Sequence, residues 1–121
     1  MKKRIVIVDD KETIAKIIYM YLKADYDFMY FSNPLKAIQW LNEGNTTDLI
    51  ISDIRMPEMM GNEFLAYLKG NLLFKSIPVV MLSSEDSSTA RIQLLESGAV
   101  DYIVKPFNPM ELKVRIQKIL S

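Results

Sequence analysis

Four apolar runs of this sequence stop at residues that can do chemistry. Arg4-Ile-Val-Ile-Val8 stops at Asp9-Asp10, and Leu49-Ile-Ile-Ser52 stops at Asp53. Pro78-Val-Val-Met-Leu82 stops at Ser83-Ser84, and Asp101-Tyr-Ile-Val104 stops at Lys105-Pro106. If these ends converge, three carboxylates, a hydroxyl and an ammonium share one site. Adjacent carboxylates repel, and a cation must neutralise them or one must take up a proton. The chain has no His and no Cys. Imidazole bases, Ser-His-Asp triads, thiolate nucleophiles and His- or Cys-ligated metals are therefore excluded. A divalent ion here has only oxygen ligands, which suits Mg²⁺, Mn²⁺ or Ca²⁺. Lys105 can pair with Asp53 or with a phosphoryl oxygen bound there, and Ser83 can donate a hydrogen bond to such an oxygen. That set fits phosphoryl transfer, where positioning and charge neutralisation dominate. Asp53 is then the nucleophile that becomes an aspartyl-phosphate.

The runs themselves are short, β-branched and without polar alternation, as in strands buried on both faces of a parallel sheet. Between them lie segments with helical spacing. Ile14, Ile17, Ile18, Tyr21 and Leu22 recur at i, i+3, i+4, i+7 and i+8. Asp27 to Phe31 is a modest strand. Asn33-Pro34 caps and starts a helix with Ala37, Ile38 and Leu41 inward, which Gly44 stops. Asn62 to Leu72 is expected to be a helix with Phe64, Leu65 and Leu68 inward. A less periodic helix follows over Ser87 to Ser97. Asn108-Pro109-x-Glu111 opens the last helix like a capping box, and Leu112, Ile116, Ile119 and Leu120 form its stripe. The order is βα five times, so the fold class is α/β, a (βα)5 doubly wound parallel sheet. In strand order 2-1-3-4-5, Asp9 and Asp10 lie beside Asp53 at one sheet edge, and Ser83 and Lys105 face the same crevice.

The 121 residues suffice for one domain, expected to span residues 1–121. Lys plus Arg and Asp plus Glu both number 15, so bulk charge favours neither nucleic acid nor an anionic membrane. No apolar run approaches the roughly 20 residues of a membrane helix. Met1-Lys-Lys-Arg4 is followed by too few apolar residues for a signal-peptide core, so a cytoplasmic chain is expected.

Taken singly, these residues have plainer explanations. Asp10 alone is a helix cap, Lys105 a solvated lysine, Ser83 a turn residue and Tyr102 half-buried packing. Met56, Met59 and Met60 suit local packing, and Tyr19, Met20 and Trp40 lie off the clean stripes. Capping does not explain three acids at neighbouring strand ends. Together, Asp9-Asp10, Asp53-x-x-Met56-Pro57 with Gly61, Ser83-Ser84, and Gly98-Ala99-x-Asp101-Tyr102-x-x-Lys105-Pro106-Phe107 resemble the receiver domain of two-component response regulators. The resemblance covers essentially the whole chain and carries the flavodoxin-like order 2-1-3-4-5 with it, so that topology is not independent of it.

The resemblance implies the following. Asp53 accepts phosphate from the phosphohistidine of a sensor histidine kinase or phosphotransfer protein. Mg²⁺ (or Mn²⁺) is held by Asp10 directly, by Asp9 through water, by Asp53 and by the Arg55 backbone carbonyl. Lys105 contacts the phosphoryl group, Ser83 moves to bond it, and Tyr102 rotates inward as a second switch residue. Lys105-Pro106 is cis. The fourth helix, fifth strand and fifth helix then present an altered surface to an effector protein or to a second copy of the chain. The domain itself touches neither nucleic acid nor membrane. It is a regulatory phosphoacceptor, not an enzyme with a separate substrate. Met60 stands where the family often has a polar residue. Arg55 and Glu85 stand where it varies, and a pair between them would gate attacking water. A haloacid-dehalogenase-like phosphatase would need a second Asp where Arg55 stands. A flavodoxin-like cofactor binder would need a Ser/Thr/Gly-rich loop where Asp9-Asp10-Lys11-Glu12 stands. The chain stops at Ser121, which fits a stand-alone receiver or one cut from a longer DNA-binding regulator.

Overall fold

A computed structural model describes residues 1–121. The elements are β1 (Lys3–Val8), α1 (Glu12–Leu22), β2 (Tyr26–Phe31), α2 (Pro34–Asn42), β3 (Leu49–Asp53), α3 (Gly61–Lys69), β4 (Val79–Ser83), α4 (Ser88–Glu96), β5 (Asp101–Val104) and α5 (Pro109–Leu120). The five strands form one parallel sheet in the order β2-β1-β3-β4-β5. From β1 the chain steps outward to β2, then returns to β3 on the other side. The reversal opens a crevice beyond the carboxyl ends of β1 and β3.

The central strands are apolar on both faces because both faces are covered. Val6, Val8, Ile50, Val79 and Met81 turn to one side and pack against Ala37 and Leu41 of α2, Phe64, Leu65 and Leu68 of α3, and Leu94 of α4. Ile5, Ile7, Leu49, Ile51, Val80 and Leu82 turn to the other. They pack against Ala15, Ile18 and Leu22 of α1 and Leu112, Ile116 and Leu120 of α5. Each of the Val, Leu, Ile, Phe and Met side chains contributes about 1.5–3 kcal/mol of burial. The register Val8 opposite Ser52 sets Asp9 level with Asp53.

Helix ends follow local chemistry. Asn33 Oδ1 accepts from the Lys36 N–H at 3.1 Å with Pro34 in the first turn, and Gly44 leaves α2 at φ +96°. Asn108 Oδ1 accepts from the N–H groups of Met110 and Glu111. Here the expected capping box is only half formed, because the Glu111 carboxylate turns to Arg115 instead. Two further expectations are corrected. The buried stripe of α1 is Ala15, Ile18 and Leu22 with Ile14 half-buried, while Ile17 and Tyr21 are exposed. Ala15, Ile18 and Leu22 recur at i, i+3 and i+7, and Ile17 and Tyr21 each stand one residue, about 100° of helix, away from that line. Helix α3 ends at Lys69 with Gly70 as its cap, not at Leu72. Leu72 and Leu73 are exposed in the turn that follows. Met56 is buried and Met59 packs against the core, as local packing predicts.

Candidate functional site

The acids, Ser83 and Lys105 lie at the carboxyl edge of the sheet, while Tyr102 lies within β5. Asp9 follows β1, Asp53 ends β3, Ser83 ends β4, and Lys105 follows β5. The buried register puts the three acids together: one carboxylate oxygen from each of Asp9, Asp10 and Asp53 lies within 4.8 Å of the others. Asp10 is exposed, whereas Asp9 and Asp53 are buried.

Lys105 bridges two of the acids. Its Nζ is 3.0 Å from Asp9 Oδ2 and 3.2 Å from Asp53 Oδ1. Pairing with Asp53 was expected; the link to Asp9 is an addition from the structure. The bridge is well shielded, with side-chain exposures of 14% for Lys105, 10% for Asp53 and 1% for Asp9. Asp9 Oδ1 also accepts from the Lys11 N–H at 2.8 Å. Burial pushes the Asp9 carboxyl above its ordinary value. The Lys11 N–H and the Lys105 ammonium pull it back, and the Asp53 charge adds to the rise.

Asp53 is held through one oxygen. Its Oδ1 accepts from the Ile54 N–H at 2.8 Å and faces Lys105, while no protein hydrogen bond reaches Oδ2. The backbone below is tight. Gly61 N–H donates to the Ile54 carbonyl at 2.6 Å, and a Cβ on Gly61 would sit 2.3 Å from the Asp53 carbonyl oxygen. Only glycine fits there. Ser83 is buried, and its Oγ accepts from the Glu85 N–H at 2.9 Å. Lys105 N–H donates to the Ser83 carbonyl at 2.7 Å, and the Lys105–Pro106 peptide is cis.

The resemblance implied a Tyr102 that rotates inward. In this structure it is already inside: Tyr102 is buried and its hydroxyl donates to the Glu85 carbonyl at 2.6 Å. The Arg91 guanidinium lies 5.6 Å from its ring centre, and Arg91 also pairs with Asp86. Arg55 and Glu85, from the loops that follow β3 and β4, form an ion pair. Tyr30 escaped the sequence reading. Its hydroxyl donates to the Asp9 carbonyl at 2.7 Å, and burial, then the charges of Asp9, Glu12 and Asp10, raise its pKa. Nothing in its local pattern marks it, since the partner comes from the neighbouring strand.

The donor set fits a hard divalent cation. Three carboxylates against one ammonium leave two negative charges, and the exposed Asp10 is free to ligate.

The sequence profile of the response regulator receiver domain matches residues 5–117. The chain belongs to this family. Receiver domains are regulatory phosphoacceptors of two-component systems and act as phosphorylation switches. Among relatives, histidine kinase P4 of Formosa agariphila is 41% identical over 120 residues, covering 99% of this chain and 9% of that protein. The transcriptional regulatory protein SrrA of Staphylococcus aureus is 35% identical over 121 residues, covering 99% of this chain and 48% of SrrA. The chain thus spans less than half the length of these relatives. A response regulator structure from Chloroflexus aurantiacus superposes with a TM-score of 0.92 at 31% identity, covering 99% and 98% of the two chains. The chemotaxis response regulator CheY4 of Vibrio cholerae gives 0.90 at 30% identity, covering 99% of this receiver and all of CheY4. The flavodoxin-like order 2-1-3-4-5 is therefore both observed in the sheet and shared with these receivers. No helix of the receiver is long and apolar enough to cross a membrane.

Proposed function

We propose that residues 1–121 form one receiver domain that takes a phosphoryl group onto Asp53 from the phosphohistidine of a sensor kinase or phosphotransfer protein. The observation that carries this is the asymmetry of Asp53: Oδ1 is held by the Ile54 N–H and Lys105, which leaves Oδ2 to attack. The new bond joins Oδ2 to phosphorus as the phosphorus–nitrogen bond breaks, and the imidazole nitrogen leaves with the electron pair. Lys105, already beside Oδ1, stabilises charge that builds on the phosphoryl oxygens. The Ser83 hydroxyl accepts from an N–H and keeps its own proton to donate to one of them.

Mg²⁺ (or Mn²⁺) would be held by Asp10, by Asp9 through water, by Asp53 and by the Arg55 carbonyl. When bound, it neutralises the acids and the phosphoryl oxygens. Both oxygens of Asp9 are engaged, by Lys11 and Lys105, which supports the indirect role given to it.

The reporting surface is α4, β5 and α5. Helix α4 buries only Leu94, so little holds it in place. Ile92, Leu95, Val100, Met110 and Val114 are exposed on this side. Tyr102 and Glu85 link that face to the loop beyond Ser83, so a phosphoryl group that draws in Ser83 shifts the surface. The reader is an effector protein or a second phosphorylated copy. The domain acts in the cytoplasm as a switch, not as an enzyme with a separate substrate, and it touches neither nucleic acid nor membrane. The length of SrrA favours a second reading, in which this receiver belongs to a longer DNA-binding regulator.

The test uses a phosphorylated histidine-kinase domain as donor. Phosphate should pass from it to the receiver and fail to pass to Asp53→Asn. Equal transfer to both proteins would refute the assignment.

A further inference from the structure

Strand β2 closes one side of the sheet and pairs with β1 alone. Its six residues, Tyr26-Asp-Phe-Met-Tyr-Phe31, contain four aromatics and one charge, with no Gly or Pro. Edge strands are commonly blunted by Lys, Pro, bulges or short length, and this one has none of these. The backbone phase is fixed by the Asp9 N–H, which donates to the Phe31 carbonyl at 3.2 Å. By alternation, Asp27, Met29 and Phe31 bond to β1. The N–H and C=O groups of Tyr26, Phe28 and Tyr30 therefore point to the open side. Such a row of unpaired groups is satisfied by another strand.

We propose that the strand is β2 of a second copy of this chain, joined antiparallel about a two-fold axis through Phe28. In that register Phe28 exchanges both backbone bonds with Phe28 of the other copy, and Tyr26 does so with Tyr30. All six outward groups are paired, and an aromatic ladder runs along the α1 face. Asp27 lies opposite Met29. A parallel in-register pairing would oppose Asp27 to Asp27, and like charges directly opposite destabilise. The two-fold arrangement uses up the β2 edge of each copy, so pairing through β2 closes at a dimer.

The α1 side supplies a receptacle. Between α1 and β2 lies an apolar groove of about 250 Å³, lined by Ile7, Ala15, Tyr19, Phe28 and Tyr30 with Glu12 and Lys16 at the rim. Tyr19 stands edge-on to Phe28 with ring centres 5.7 Å apart and is half exposed, and Met20 beside it is more so. The aromatic row of the second copy fills this groove. The interface lies on the far side of β1 from β5 and leaves the α4–β5–α5 face free.

The test combines sedimentation across a dilution series with amide hydrogen exchange on the intact protein. The wild type should dimerise reversibly without any phosphodonor. The amides of Tyr26, Phe28 and Tyr30 should gain protection as the dimer forms. Phe28→Lys sets two ammoniums on the axis and should weaken dimerisation at least about tenfold. It should still accept phosphate on Asp53, whereas Phe28→Tyr should still dimerise. A monomer at every concentration, a dimer whose three amides stay unprotected, or open-ended assembly would overturn the proposal. The wild-type exchange measurement decides even if Phe28→Lys fails to fold.

Discussion

Replacing Lys105 with Met keeps the apolar stem and removes the one cation shared by Asp9 and Asp53. Both ion pairs are short, at 3.0 and 3.2 Å, and all three side chains are largely shielded from water. Breaking a buried pair by removing one partner costs about 3–5 kcal/mol, because the other charge stays buried. Lys105→Met should therefore lose about 3 kcal/mol or more at pH 7 without Mg²⁺, read from urea unfolding. The loss should depend on pH in one direction. The folded-state pKa of Asp9 is raised above 3.8, chiefly by burial. Its favourable contribution is therefore full below that value and lost as pH climbs through the raised one. Without the ammonium the raised value moves higher still. The deficit should be small near about pH 4 and grow toward neutrality, and Mg²⁺ should restore part of it. A deficit under about 1 kcal/mol at pH 7, or one equal at both pH values, would refute the idea that Lys105 holds two buried carboxylates together.

Three other changes test separate parts. Gly61→Ala drives a methyl to within 2.3 Å of the Asp53 carbonyl oxygen and should cost about 3 kcal/mol in urea unfolding; a neutral result would show that this loop yields easily. Glu58 sits at φ +71°, so Glu58→Gly should stabilise by about 0.5–1 kcal/mol after the entropy of glycine is subtracted; a loss of stability would mean that its side chain supports the turn. Arg55→Ala opens the ion pair with Glu85 and should shorten the lifetime of the aspartyl-phosphate, followed by loss of the mass adduct; an unchanged lifetime would remove the pair from any role in gating water.

Much of the fold was legible because parallel strands buried on both faces leave a strong pattern. Arg4–Val8, Leu49–Asp53 and Asp101–Val104 were readable almost to the residue. The site followed, since strand ends carry the chemistry in this topology. What escaped depends on neighbours rather than spacing. Ile17 and Tyr21 fit the helical period of α1, yet the face that meets the sheet is the line of Ala15, Ile18 and Leu22. Leu72 and Leu73 continue an apolar pattern that Gly70 has already ended. The bridge from Lys105 to Asp9 and the bond from Tyr30 to the Asp9 carbonyl cross between strands distant in sequence or separated by a helix. The inward Tyr102 is set by the carbonyl of Glu85, a loop residue whose position the sequence does not specify.

The most direct measurement is intact mass after incubation with acetyl phosphate and Mg²⁺. One phosphoryl adduct should form, absent in Asp53→Asn and absent when the metal is chelated. An adduct that persists in Asp53→Asn, or folded metal-loaded protein that takes up no phosphate from this donor or from a phosphorylated kinase, would contradict the account.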